Sequence, residues 1–175
     1  MKKILITLSF LILSFTAKAT LLSVELNNPS ANYFVGDTLT ADIVISDIEL
    51  GPFGPKLLGA FDFALNFDDT LLDVSKVTFG DKLSNSPFFQ IESAAPGQII
   101  LNEAALFPIH DIFTSQLGLL SFSLASIEFS VKDTGKGLLS LTDVKLFDEN
   151  PIPLSFTNIE TASANFTAVP TPATL

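Results

Sequence analysis

The stretch Phe61-Asp62-Phe63-Ala64-Leu65-Asn66-Phe67-Asp68 alternates large apolar side chains with polar or small ones. Successive side chains of a β-strand point to opposite faces, so this order makes one apolar face and one wet face. Wound as a helix, the same residues would spread the phenylalanines around the circumference and leave some of them in water. Asp68-Asp69-Thr70 then ends the run with turn chemistry. Leu71 and Leu72 follow, and a second strand over Val74 to Phe79 leads to Gly80-Asp81.

The rest of the chain repeats the theme. Leu22 to Leu26 reads as a short strand, and Asn27 to Asn32, with Pro29, as a turn cluster. From Thr38 to Ser46, Leu39, Ala41, Ile43 and Ile45 alternate with polar residues, the mark of a half-buried strand. Asp47 to Gly59 is expected to be a loop, because Gly51-Pro52-Phe53-Gly54-Pro55 does not suit a sheet interior. It is either a connector or a binding loop that presents Phe53. Ser84 to Gln90 reads as irregular around Pro87, and a Pro96-Gly97 turn precedes a strand over Gly97 to Asn102. Ala104 to Gly118 has no clean period and reads as a long loop or a loop carrying a helical turn. In Leu119 to Lys132 the apolar residues change parity, from Leu120, Phe122 and Leu124 to Ile127, Phe129 and Val131. That change predicts a β-bulge near Ala125-Ser126. Asp133 to Gly137 is a turn, Leu138 to Phe147 a strand of unsettled facing, and Asp148 to Pro153 another turn. Leu154 to Asn158 and Ala162 to Val169 supply the last strands. Recurring strands without an amphipathic helix of ordinary length predict an all-β fold, an antiparallel two-sheet sandwich of jelly-roll type.

Residues 1–19 read as a secretory signal peptide. Lys2 and Lys3 form its positive start, Ile4 to Phe15 its apolar run, and Ala17-Lys18-Ala19 its small-x-small cleavage site. Cleavage between Ala19 and Thr20 leaves one domain over residues 20–167 and a Pro-rich tail over 168–175. A domain of that length buries a core without cross-links, and the chain has no cysteine, so disulfides and thiolate metal sites are excluded. The whole chain carries a net charge of −10. Loss of the leader removes three of the nine lysines and leaves six against 19 acidic residues, a net of −13. Such a surface repels nucleic acid and anionic lipid, which need clustered Lys or Arg.

The block FDFALNFDDTLLDVSKVTFGDKL resembles the cohesin family, the β-sandwich receptors of dockerin modules. Those domains carry an aromatic-Asp-aromatic strand, then aromatic-Asp, a leucine pair and a short strand closing in a Gly-Asp or Pro-Gly turn. Val35-Gly36-Asp37 ahead of a strand is similar to cohesins as well, and the likeness extends loosely from Leu22 to Phe166. It implies a dockerin-like protein partner held on one exposed sheet face, with the Asp between the two aromatics at the contact. Asp62 matches that position, and Asn66 shares its side of the strand. The family often has Asn two residues before that Asp, where this chain has Ala60.

Other chemistry finds less support. His110 is the sole histidine, and no Gly-x-Ser-x-Gly elbow accompanies it as a triad would require. Asp68, Asp69, Asp73, Asp81, Glu92, Glu103, Asp111 and Glu128 offer carboxylates, but a glycosidase needs two of them facing across a cleft. No cofactor is implied. Calcium is the metal that Asp68, Asp69 and Asp81, or Asp148, Glu149 and Asn150, would suit, although neither group has the EF-hand spacing. The runner-up to a protein-binding module is a carbohydrate-binding module for extracellular polysaccharide, since cohesins share their architecture with such modules. Tyr33 and Phe53 are then the aromatics expected to be exposed.

Val169-Pro170-Thr171-Pro172-Ala173-Thr174-Leu175 resembles the start of the PEP-CTERM sorting tail of Gram-negative bacteria, with Thr171 in place of the usual Glu and without the apolar span and basic tail that normally follow. Together these features lead us to expect a non-enzymatic binding or extracellular-matrix module, secreted or displayed at the cell surface. The protein recovered from culture medium should begin at Thr20. Mass spectrometry that finds Met1 or Lys2 retained would overturn the leader assignment.

Overall fold

The computed structural model describes residues 20–29, 32–48, 50–51, 54–83, 89–105 and 109–167. They form two packed β-sheets. One contains β1 (Thr20–Leu26), β3 (Thr38–Ser46), β7 (Leu72–Phe79), β10 (Phe122–Val131) and β12 (Phe156–Glu160), in the spatial order β12-β1-β3-β10-β7. The other contains β2 (Asn32–Phe34), β6 (Leu58–Asn66), β8 (Phe89–Ala95), β9 (Gln98–Ala104), β11 (Gly135–Asp148) and β13 (Ala162–Thr167), in the order β2-β13-β11-β6-β9-β8. A small hairpin of β4 (Leu50–Gly51) and β5 (Gly54–Pro55) lies within the segment expected to be loop, and a helix, α1 (Ile109–Gln116), lies between β9 and β10.

Period-two burial builds the space between the sheets. β6 turns Phe61, Phe63 and Leu65 inward, all fully buried, and β3 does the same with Leu39, Ala41, Ile43 and Ile45. Phe61 stacks on Phe63 at 5.1 Å and reaches Phe79 of the opposite sheet at 6.3 Å. Phe67, just beyond β6, is half-buried and meets Phe129 edge-on at 5.2 Å. The parity change in β10 is a true irregularity: its register against β3 shifts between Ser123 and Ala125, so Leu124 and Ala125 are both buried. Leu120, which the alternation placed inward, lies outside the strand and is exposed. The Pro96-Gly97 turn joins β8 to β9, and Gly97 has φ +75°, the conformation that the third residue of a type II turn needs after Pro.

Two edge pairs depart from the antiparallel plan. β1 runs parallel to β12, and β13 runs parallel to β2. Each follows from the chain crossing between sheets: β1 and β2 are consecutive but belong to different sheets, as do β12 and β13. The first and last segments of the domain therefore close the same side of the sandwich together.

Truncating a buried Phe typically costs about 3–5 kcal/mol. Asp62, on the opposite side of the same strand, loses by truncation an exposed ion pair worth about 0–1 kcal/mol. Phe63→Ala should therefore take away a large part of the stability measured by chemical denaturation, and Asp62→Ala should be close to neutral. Equal losses would mean that β6 faces the other way.

Candidate functional site

The outward face of the six-stranded sheet follows from the inward one. With Phe61, Phe63 and Leu65 buried, Ala60, Asp62, Ala64 and Asn66 must point away from the core. Cross-strand pairing sets them in rows. Lys145, Asp62, Asn102 and Ile91 lie side by side across β11, β6, β9 and β8; the next row holds Thr142, Ala64, Ile100 and Ser93; the third holds Ser140, Asn66, Gln98 and Ala95. Asp62 is ion-paired through Oδ2 to Lys145 Nζ at 2.8 Å, with its side chain 31% exposed. That partner holds the Lys145 ammonium above its usual range. Gln98 donates to Asn66 Oδ1 at 2.9 Å, and Asn66 donates to Thr142 Oγ1 at 2.9 Å. Ala64 lies flush between Ile100 and Thr142 and is buried by them and their neighbours. Ile100, Ile91 and Phe89 on the same side are 40–44% exposed. The face is thus a flat polar band, carrying Asp62 and Asn66, beside an exposed apolar flank.

At one end of this face is a cavity of about 290 Å³, lined by Gly59, Ala60, Ala104, Ile112, Phe147 and Glu149 among others. Ala60, Ala104 and Phe147 form a further cross-strand row, adjacent to that of Asp62. Gly59 permits the close approach of β6 to β11 there: a Cβ on it would come within 2.5 Å of the Asp148 carbonyl oxygen. Helix α1 contributes Ile112 and is fastened by Gln116, whose side-chain amide bonds both the N–H and the C=O of Leu58 at 2.8 Å. The adjoining turn is held by Asp148, whose Oδ1 accepts from the N–H of Asn150 and of Ile152 at 2.8 and 2.9 Å.

Several of the acids considered for catalysis or calcium are engaged separately. Asp68 accepts from the N–H and hydroxyl of Thr70, bonds that hold its carboxyl below the ordinary range. Asp81 is paired with Lys82, which lowers its pKa, and Glu128 with Lys76. Among the described residues no group of three or more acids or histidines is arranged to hold a metal ion. His110 and Asp111 belong to α1, but their side chains lie outside the described residues. Tyr33, expected to be exposed, is buried, donates its hydroxyl to the Asn28 carbonyl, and packs near Phe166. Its ring completes the core beneath β2 and offers no sugar platform. Phe53 lies outside the described residues, as do residues 1–19 and 168–175, with the cleavage-site Ala19 and the sorting-tail residues. Thr20, the expected new N-terminus, is the buried first residue of β1.

Sequence reading missed the burial of Glu103. It is fully buried on β9, beside Phe61, where Gln90 Nε2 donates to Oε1 at 2.8 Å and Oε2 has no hydrogen-bond partner among the described residues. Burial pushes its pKa up to about 7, with the Gln90 bond pulling the other way. The signal was present, since the parity that turns Ile99 and Leu101 inward turns Glu103 inward too.

No family model and no curated protein matches this chain. Solved structures do. A type II cohesin from the cellulosome of Acetivibrio cellulolyticus aligns with TM-score 0.66 and 17% identity, over 84% of this chain and 95% of its own. A type I cohesin–dockerin complex from Clostridium thermocellum aligns with TM-score 0.62 and 15% identity, over 88% and 97%. A non-cellulosomal cohesin from the archaeon Archaeoglobus fulgidus gives 0.60 and 14%, over 85% and 91%. At these identities the likeness is one of fold, and the fold is a cohesin-like β-sandwich.

Glu103 supplies a pH test. A carboxyl whose pKa is higher folded than unfolded keeps more protons in the folded state between about 4.5 and about 7. Stability should then fall as pH rises through that window and level off above it, by roughly 3 kcal/mol at most. Denaturation curves across pH 4.5–8 should lose most of this slope in Glu103→Gln. A slope unchanged by that substitution would mean that Glu103 is not the buried acid.

Proposed function

We propose that this chain is an exported, non-catalytic binding module that takes a protein partner on the outward face of its six-stranded sheet, with Asp62 and Asn66 at the contact. The observation that carries the reading is the composition of that face: a carboxylate and an amide held in place by Lys145, Gln98 and Thr142, beside exposed Ile91 and Ile100. Anchored polar groups give a partner fixed hydrogen-bond positions, and the apolar flank gives it surface to bury. The fold likeness to cohesins, one of them in complex with a dockerin, supports a partner of dockerin type. Ala60 stands where the family often has Asn, so the contact here relies on Asp62 and Asn66 without that third polar group. The leader-like start and the sorting-tail resemblance support a place outside the cell or at its surface.

Asp62 binds Lys145 at the surface, so a partner's donors compete with Lys145 or join it. A carboxylate desolvated against a partner's donors is worth about 2–5 kcal/mol when truncated. With a partner isolated from the producing organism's secretome, Asp62→Ala should weaken binding more than tenfold and leave the melting temperature almost unchanged. An affinity that neither Asp62→Ala nor Asn66→Ala alters would refute this contact.

A further inference from the structure

The cavity at the end of the outward face is lined chiefly by hydrocarbon, from Ala60, Ala104, Ala105, Ile112 and Phe147. Polar groups at its wall are engaged or out of reach. The Gly59 carbonyl accepts from the Ala105 N–H at 2.9 Å, and Asp148 Oδ1 accepts from two backbone N–H groups. Glu149 Oε1 accepts from Asn150 Nδ2 at 3.1 Å, and Glu149 Oε2 is buried with no surface open to a ligand. A polar or charged occupant would lose its hydrogen bonds to water with little in return. An apolar occupant loses none and removes hydrocarbon from water. Ala60 and Ala104 are paired across β6 and β9, with Phe147 beyond the one and Phe89 beyond the other. Two methyl groups between two aromatic residues leave a depression in a face that is otherwise flat. Its volume of about 290 Å³ is ample for a six-membered ring, since an apolar cavity of about 150 Å³ already takes up benzene. The depression also adjoins the row of Asp62, and Phe89 joins it to the exposed flank of Ile91 and Ile100.

Resting on the reading that this face binds a protein, we propose that the cavity receives a phenylalanine side chain of the partner, its ring seated on Ala60 and Ala104 against Ile112 and Phe147. Aromatic anchors in desolvated pockets carry much of the energy of protein contacts. A ring beside Phe147 also gains an aromatic pairing that an aliphatic side chain lacks. Tyrosine entering tip first would bury its hydroxyl against this wall without a partner. Ala60 and Ala104 are then specificity residues. Their small size admits the ring, and a larger side chain at either position excludes it while leaving the carboxylate of Asp62 in place.

The test uses N-acetyl-phenylalanine amide, with the tyrosine, lysine and leucine amides as counterparts. Titrated into ¹⁵N-labelled protein, the phenylalanine probe should shift the amides of Ala60, Ala104 and Ile112 saturably. The tyrosine and lysine probes should bind at least about tenfold more weakly, because each brings a polar group that the wall leaves unpaired. The leucine probe should bind more weakly than phenylalanine. Ala104→Leu should abolish the shifts by filling the cavity, and Ala60→Leu serves the same purpose if the first variant folds poorly. Any counterpart binding as well as the phenylalanine probe, binding undiminished in both variants, or no saturable shift at all would each overturn the proposal. No partner is needed here, so failure of this titration is distinct from failure of the Asp62 contact, which only the partner assay reads.

Discussion

The rest of the structure depends on the parity of β6. Phe61, Phe63 and Leu65 can reach the opposite sheet only if they share one side of the strand, and a slip of one residue would bury Asp62 and Asn66 in their place. Burying a carboxylate without a partner costs far more than the strand gains. The aromatic stack from Phe63 through Phe61 to Phe79 therefore fixes register as well as filling space. The same constraint determines which atoms of β6 face outward and, through pairing with β9 and β11, which neighbours they meet. The position of the candidate contact is in this sense a consequence of the core.

Elements with one buried face were legible in the sequence. β3 and β6 alternate cleanly, and β10 betrays its irregularity by a change of parity, which the register places between Ser123 and Ala125. β8 was not legible, because every residue from Phe89 to Ala95 is exposed and no alternation results. It forms by pairing with β9 across the Pro96-Gly97 turn, a cross-strand preference that the pattern of β8 alone does not encode. β2, at three residues, is too short to show a period, and α1, at eight, has too few turns. The facing of β11 was obscured by its own irregularity between Thr142 and Lys145, which resets the parity partway along. Asp62 and Asn66 could be placed on one face from their spacing alone. The adjoining cavity could not, because Ala60, Ala104, Ile112, Phe147 and Glu149 come from four separate stretches of chain.

On such a scaffold polar chemistry is left to the face and its margins. The inward side chains are nearly all hydrocarbon, so chemistry is left to the outward rows and to the few polar groups that burial has trapped. Two of these have structural tasks that explain their burial. Gln116 ties α1 to the start of β6, and Asp148 organises the turn after β11. Among the described residues Glu103 is bonded through its side chain to Gln90 alone and its second oxygen has no partner, and so it represents a cost that the surrounding hydrocarbon must offset.

The exposed strand β8 has a further consequence. No described strand pairs along its outer side, so its backbone N–H and C=O groups form a free margin, flanked by the exposed Phe89 and Ile91 and bearing Glu92 as its one ionisable side chain. Such margins join to those of other copies unless something keeps them apart. Here mutual repulsion between strongly acidic molecules does much of that work, and it fades as the medium approaches the isoelectric point near 4.3. Acid that keeps Glu103 protonated, and so relieves the interior, is the same acid that removes the repulsion guarding this margin. Colloidal stability and the contribution of Glu103 to conformational stability thus respond to pH in opposite senses, and the medium in which the molecule persists as separate copies depends on the balance between them.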